Sequence, residues 1–279
     1  MHIKTILVYV PSERNAAATL EPVVKIASAG SAHVIGLHLI PDLPVYGEFP
    51  AEISQEVIEK LQKAGNEASA AAKRAFEEAF KSNALSHEWR SYIASHTAGE
   101  DLIARQGRGV DLIVCGRPSE DVPDPWSDFA ETALMRCGRP VLVLPSGPAP
   151  AQIGTHAVIA WNDTREAARA AFDSLDLLRA AETVRAVTFI DSESQRPAAE
   201  SYGSPLIAAL GRHGIKATFE VAYASGGATG DAILSKLADE GCDLLIMGGY
   251  SKSRFREMIF GGVSRDILRD GSVPALVSH

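Results

Sequence analysis

The segment GVDLIVCGRPS at residues 109–119 returns as GCDLLIMGGYS at residues 241–251, an offset of 132 residues. A repeat of that length obliges the chain to build one structural unit twice, because each copy is long enough to bury a core of its own. Further pairs keep close to the offset. GEDLIARQ (99–106) resembles GDAILSKL (230–237), and ALMRCGRPVLVLP (133–145) resembles DILRDGSVPALVS (266–278). At the front, KTILVYVPSERNAAATLEPV parallels THAVIAWNDTREAARAAFDSL. The 279 residues therefore divide into copies spanning 1–147 and 154–279, joined by SGPAPAQIG, rich in Pro, Gly and Ala as linkers are.

Each copy alternates strand and helix. In the second, residues 157–161 form a short apolar run. Asp163, three residues before Glu166, reads as a helix cap, and Ala168, Ala171, Phe172, Leu175 and Leu178 follow at helical spacing. Strands are expected at 184–190, around Phe219, Val221 and Tyr223, at 243–247 and at 274–277, with helices at 232–238 and 263–269. Short apolar strands separated by helices imply an α/β fold, a parallel sheet covered on both faces. The first copy differs by a loop, PDLPVYGEFP, and a long helix from 54 to 81 with Val57, Leu61, Ala64, Ala68, Ala72, Phe76 and Phe80 in one stripe. That stripe predicts a lid packed on its own domain. An exposed flap with Val45, Tyr46 and Phe49 would instead serve a partner.

Composition narrows the class. A net charge of −8 repels nucleic-acid phosphates and anionic membranes, so neither is an expected partner. Cys115, Cys137 and Cys242 have no CxxC spacing, and Cys115 and Cys242 adjoin apolar runs, which predicts buried thiols. No apolar run reaches the roughly 18 residues of a membrane span, and MHIKTILVYV lacks the pattern of a signal peptide. A cytoplasmic protein is expected.

Ligands of open parallel sheets bind beyond the carboxyl ends of strands, where the strand order reverses. In the second copy those ends are Trp161-Asn162-Asp163 and Gly248-Gly249-Tyr250. Gly261 and Gly262 open a helix, whose free N–H groups favour an anion, and Lys252, Arg254 and Arg256 lie between the two glycine pairs. The arrangement reads as a phosphate cradle beside an adenine-sized crevice. The plainer reading is that the glycines only make turns and the cations a solvated face.

The spacing Gly248, two residues, Ser251, nine residues, Gly261-Gly262 resembles the Gly-x2-Gly-x9-Gly-Ser/Thr nucleotide loop of universal stress proteins. VIAWNDTREAARAAF and ILRDGSVPALV resemble that family's first strand and helix and its last helix and strand. The resemblance covers both copies and implies a tandem universal stress protein. It implies a Rossmann-like, doubly wound five-stranded sheet per copy, in the order 3-2-1-4-5, with the two copies paired through their last strands. Single-domain members commonly form dimers that way. It further implies ATP or another adenine nucleotide, with Mg²⁺, held in the second copy by Asn162, Asp163, Phe189, Gly248, Ser251, Lys252, Arg254, Gly261, Gly262 and Val263. Ser251 replaces a Gly, Gly262 a Ser/Thr, and Asn162 the Asp that contacts the nucleoside.

The same register in the first copy gives Gly116, Arg117-Pro118, Ser119, nine residues, then Phe129-Ala130, with Pro11 at the Asp position. Phe129 blocks close backbone approach, and Glu120, Asp121, Asp124 and Asp128 repel phosphate. The first copy is expected to bind no nucleotide, with Trp126 packed over the vacated crevice. Neither a Walker loop nor GxSxG is present, so no enzyme is predicted; a weak ATPase would draw on Asp163, Asp191 and Asp231. His87, His96, His156, His213 and His279 pair with no other His or Cys at ligand spacing, so no metal site is predicted beyond Mg²⁺ with ATP. Two function classes stay open: a nucleotide-binding stress protein, and a nucleotide-independent interaction module working through the flap or a dimer surface.

Overall fold

A computed structural model describes residues 3–14, 16–42, 55–118, 124–148, 150–223, 233, 236–237, 239, 241–249, 267–268 and 271–279. Its contacts divide the chain into two units, Ile3–Cys137 and Gly138–Pro145 with Pro150–His279.

The first unit runs β1 (Thr5–Tyr9), α1 (Ala16–Gly30), β2 (His33–Pro41), α2 (Gln55–Lys81), β3 (His87–Ala94), α3 (His96–Gly107), β4 (Leu112–Gly116) and α4 (Phe129–Cys137). Its strands lie in the order β3-β2-β1-β4 and all pair in parallel. Ile6, Leu7 and Val8 of β1 and Leu112, Ile113 and Val114 of β4 are buried, as continuous apolar runs at the middle of a covered parallel sheet must be.

The second unit runs β5 (Val141–Leu144), β6 (His156–Ala160), α5 (Arg165–Asp173), α6 (Leu175–Ala180), β7 (Thr183–Ile190), a 3-10 turn (Glu193–Gln195), α7 (Arg196–Arg212), β8 (Ala217–Tyr223), β9 (Leu244–Gly248) and β10 (Ala275–Ser278). The order is β5-β10-β9-β6-β7-β8. The second copy's own five strands thus follow the expected 3-2-1-4-5 order. β5, the last strand of the first copy in sequence, pairs antiparallel with β10, with Leu276 opposite Leu142.

The repeated Asp of GVDLIV and GCDLLI has a structural explanation. Asp111 Oδ2 accepts the backbone N–H groups of Lys4 (2.9 Å) and Thr5 (3.0 Å), so the carboxylate before β4 holds the start of β1. Asp243 does the same before β9, accepting from Gly154 (3.0 Å), Thr155 (3.0 Å) and His156 (2.8 Å). Such charge-assisted bonds to otherwise unpaired strand-end amides fix the register of the two central strands.

Three expectations need correction. The cap of α5 is Thr164, not Asp163: Thr164 is extended and its hydroxyl accepts from Ala167 N–H at 3.3 Å, while Asp163 stands before it with φ of +53°. The apolar stripe of α2 is buried only at Ala72, Phe76 and Phe80, where the helix lies against β2 and β3; Leu61 is 49% exposed, and Ala64 and Ala68 are exposed too. So, among the described side chains, the first half of the helix is not packed as a lid. The flap residues Val45, Tyr46 and Phe49 lie outside the described residues, as does the side chain of Val57. Finally, the second unit has a helix between β7 and β8 after all. In α7, Pro197 sits at the start, where its missing N–H costs nothing. Gly203 lets the helix lie against β8, for a Cβ there would come within 2.3 Å of the Phe219 ring.

Beyond the ends of β1 and β4 the first unit closes on itself. Tyr9 and Phe129 stack with centroids 4.2 Å apart and planes 4° from parallel. The Tyr9 hydroxyl donates to Asp124 Oδ1 at 2.9 Å, and the same oxygen accepts the Trp126 N–H at 2.9 Å. Trp126 is 1% exposed, and its indole N–H donates to the His96 carbonyl at 3.3 Å. Burial raises the Asp124 carboxyl above its ordinary value of 3.8, against the pull of these hydrogen bonds and of His38. It also raises the Tyr9 phenol, lowers the His38 imidazole and pushes the Cys115 thiol up to about 12.

Two stability predictions follow from these carboxylates. Asp243→Ala strips three strand-end amides of their acceptor and lowers unfolding free energy by about 2–4 kcal/mol, read from denaturant melts. A gentler loss for Asp243→Asn fits this account; an unchanged midpoint in Asp243→Ala refutes it. Asp124 acts in the opposite sense. Its native pKa is raised, so the folded state binds the proton more tightly, and stability falls as pH rises from 3.8 through the raised native value. Asp124→Asn keeps the acceptor for Tyr9 and Trp126 and removes the charge. It is expected to stabilise the protein at pH 7 by on the order of 1 kcal/mol and to flatten stability across that window. Destabilisation at pH 7 with the slope intact would overturn the assignment.

Candidate nucleotide crevice

In the second unit the strand order reverses at β6, which pairs with β7 on one side and β9 on the other. The ladder runs one residue past β6: Trp161 N–H donates to Val187 O at 2.8 Å, and the Thr188 hydroxyl donates to Trp161 O at 2.8 Å. The chain then turns sharply. Asp163 takes the left-handed conformation that an Asp tolerates better than most residues. Thr164 closes the turn, its hydroxyl donating to Asn162 Oδ1 at 2.7 Å while it caps α5. Asn162 is half-buried and Asp163 exposed, so the turn presents a neutral amide inward and a carboxylate outward.

β9 ends beside this turn. A Cβ on Gly248 would stand 2.5 Å from Ala167 N and 2.6 Å from Glu166 C, so only glycine lets the first turn of α5 lie against the strand end. Gly249 N–H donates to Ser278 O at 2.8 Å, which carries the sheet one residue further. Phe189, half-buried, lies two residues past the Val187 that pairs with Ala160. The structure therefore brings Asn162, Asp163, Phe189 and Gly248 to one end of the sheet. Ser251, Lys252, Arg254, Gly261, Gly262 and Val263 lie outside the described residues, as do Arg256 and Asp231.

Pattern reading placed Trp161 at the strand end and gave it no role of its own. It is 7% exposed, yet its indole Nε1 is shielded from water and makes no hydrogen bond. A buried donor without an acceptor costs about 1–3 kcal/mol and is the kind of group a ligand satisfies. Its counterpart by register is Val10, whose N–H bonds Leu37 O at 2.9 Å as Trp161's bonds Val187 O. Val10 O faces His38 Nδ1 at 2.7 Å, where the second unit has Thr188. The first unit thus has an apolar residue at this point, Pro11 where Asn162 stands, and the Tyr9–Phe129 stack beside the end of β1. Arg117, next after β4, is 4% exposed.

Of the acids weighed for chemistry, Asp163 and Asp191 are exposed; the Asp191 backbone N–H donates to Gln195 Oε1 at 3.0 Å. Cys115, Cys137 and Cys242 are buried and form no disulfide. Among the described residues no helix is long and apolar enough to cross a membrane.

Comparison with known proteins agrees with this architecture. A structure described as a universal stress protein from Archaeoglobus fulgidus DSM 4304 superposes with a TM-score of 0.69 at 16% identity, covering 98% of this chain and 95% of that one. A candidate universal stress protein from Pseudomonas aeruginosa UCBPP-PA14 gives 0.57 at 14% identity, covering 99% and 93%. A functionally unknown protein from Pseudomonas aeruginosa PAO1 gives 0.51 at 14% identity, covering 99% and 92%. At these identities the likeness is one of fold. The search of curated proteins gives no match. The model of the universal stress protein family matches residues 156–279, the stretch that contains β6 through β10, and it is through that stretch that the chain is similar to the family.

Proposed function

We propose that the second copy binds an adenine nucleotide, ATP with Mg²⁺ in the first instance, and that the first copy does not. The observation that carries this reading is the contrast between two equivalent strand ends. One carries an unpaired buried indole N–H, a half-buried amide and a glycine packed on a helix start. The other is filled by its own aromatic stack and a buried carboxyl. A strand end with buried polar groups at the reversal point of a parallel sheet is where such folds take ligands. Asn162 is read as the group that meets the ribose or base, and Gly261 and Gly262 as the close approach to phosphate. The protein is proposed to act by binding, with no catalytic step. Chain pairing through β5 and β10 is proposed to occur within one chain.

The second reading, an interaction module, has one observation in its favour. The first half of α2 stands exposed, with Leu61 on its surface and i,i+4 pairs Lys60–Glu56 and Lys63–Glu67 along it.

Calorimetric titration of nucleotide-stripped protein with ATP and Mg²⁺ decides between them. One ATP per chain is expected. Gly261→Asp should abolish binding and leave the circular dichroism unchanged, because a carboxylate at that position repels phosphate. Trp161→Phe keeps the ring and removes the donor, and should weaken binding by about tenfold, the worth of one hydrogen bond. No heat at millimolar ATP would discard the nucleotide reading. Full affinity in Gly261→Asp would move the site elsewhere.

A further inference from the structure

We propose that the first unit carries a site for a divalent transition-metal ion of the Zn²⁺ class, formed by His96, Glu100 and Asp128. His96 and Glu100 stand one turn apart on the first turns of α3, and neighbouring turns share a face. Asp128 is the residue just before α4. His96 Nδ1 lies 3.6 Å from Glu100 Oε1, and His96 Nε2 lies 3.9 Å from Asp128 Oδ1. One ligand atom from each of the three lies within 4.8 Å of the others. Ligands on a tetrahedral ion at bond lengths of about 2.1 Å stand roughly 3.4 Å apart, a difference that side-chain torsions can close.

Each ligand has its own support, as metal ligands need. The His96 backbone is held by the Trp126 indole, which donates to its carbonyl at 3.3 Å. That indole is in turn seated against Gly99, where a Cβ would fall 2.1 Å from Trp126 Nε1. Asp128 belongs to the same tight turn, closed by Ser127 N–H to Asp124 O at 3.1 Å and Phe129 N–H to Trp126 O at 2.8 Å. Glu100 is oriented by Arg136 of α4, which donates to Oε2 at 3.0 Å and leaves Oε1 on the His96 side. Arg136 also binds Asp101, which shares its charge.

Acids at helix starts are ordinary, because the helix dipole favours them. The dipole does not account for a histidine set between the two acids. Nor does it account for Asp128 Oδ1, a shielded oxygen on a side chain that is 43% exposed overall, which accepts no hydrogen bond. That oxygen has no hydrogen-bond donor, and His96 Nε2 at 3.9 Å stands beyond hydrogen-bond range, which leaves the two facing each other across a gap a cation can bridge. One imidazole with two carboxylates suits Zn²⁺, Co²⁺ or Mn²⁺; the nitrogen donor sets the site apart from the all-oxygen cages of Ca²⁺. The site also gives the loop that ends in PDPWSD a role that the nucleotide reading leaves unassigned: Trp126 braces one ligand and Asp128 is another.

The test is calorimetric titration of the chelator-treated full chain with Zn²⁺, paired with thermal melts, since an ion bound only to the folded state raises the midpoint. One saturable equivalent is expected. His96→Gln and Asp128→Asn should each weaken it by at least about tenfold and remove the Zn²⁺-dependent rise in midpoint. His213→Gln, in the other unit, should change neither. Circular dichroism checks that the variants fold, and Glu100→Gln replaces any that does not. The proposal is overturned by absence of saturable binding, by unchanged affinity in either ligand variant, or by equal weakening in His213→Gln. Because nucleotide is absent throughout, the result is independent of the crevice in the second copy.

Discussion

The carboxylates of Asp111 and Asp243 tie each unit together at its middle. Each stands at the start of a strand and holds the start of the neighbouring strand by two or three backbone N–H groups. That pins the register of β1 against β4 and of β6 against β9, with Ile6 opposite Leu112 and Ala157 opposite Leu244. With one end of a strand pair fixed, the position of its other end follows from strand length. A structural bond at one end of the sheet thus sets where the carboxyl ends of these strands lie at the other. The Asp that repeats most plainly in the sequence is thus a register pin rather than a member of the site.

From that shared frame the two copies part at a few positions. Val10 and Trp161 occupy the same place in the ladder, yet one closes an apolar surface and the other leaves an N–H without an acceptor. In the first unit the stack of Tyr9 on Phe129 closes the strand end. Aromatic faces at 4.2 Å bury area that a crevice would leave open, and the hydroxyl then needs a partner, which Asp124 supplies. Burying that carboxyl carries a cost, visible in its raised pKa. The first copy closes this strand end by packing, with a titratable group left inside.

The central strands were legible because apolar runs such as ILVY and DLLIM have few alternatives in a chain that alternates strand and helix, whereas their order came only from the family resemblance. Thr164 was harder to see. Asp and Thr both cap helices, and the choice between them rests on Asp163 accepting a left-handed backbone, which spacing does not encode. Helix α7 was hidden by Pro197, Gly203, Pro205 and Gly211, residues that weaken any helical reading although Gly203 is there to let the helix touch Phe219. The stripe of α2 was legible as a stripe, but periodicity cannot say where the surface beneath a helix ends. The cluster of His96, Glu100 and Asp128 was invisible for a different reason: its third member is 28 residues from the second, joined only by the fold.

The fifth strand of the first copy shows why a sequence repeat and a structural unit need not share a boundary. Val141, Leu142, Val143 and Leu144 are all buried, so the strand is apolar on both faces and cannot stand at an open edge. It meets β10, equally short and equally buried, in antiparallel register. Each strand would be a hazard as a free edge, with a row of unpaired amides beside apolar side chains. Paired, each removes the other's liability. A duplicated fold whose last strand is apolar therefore carries a built-in reason to stay duplicated: loss of one copy would leave the other with an edge that water does not satisfy and that another chain would take up.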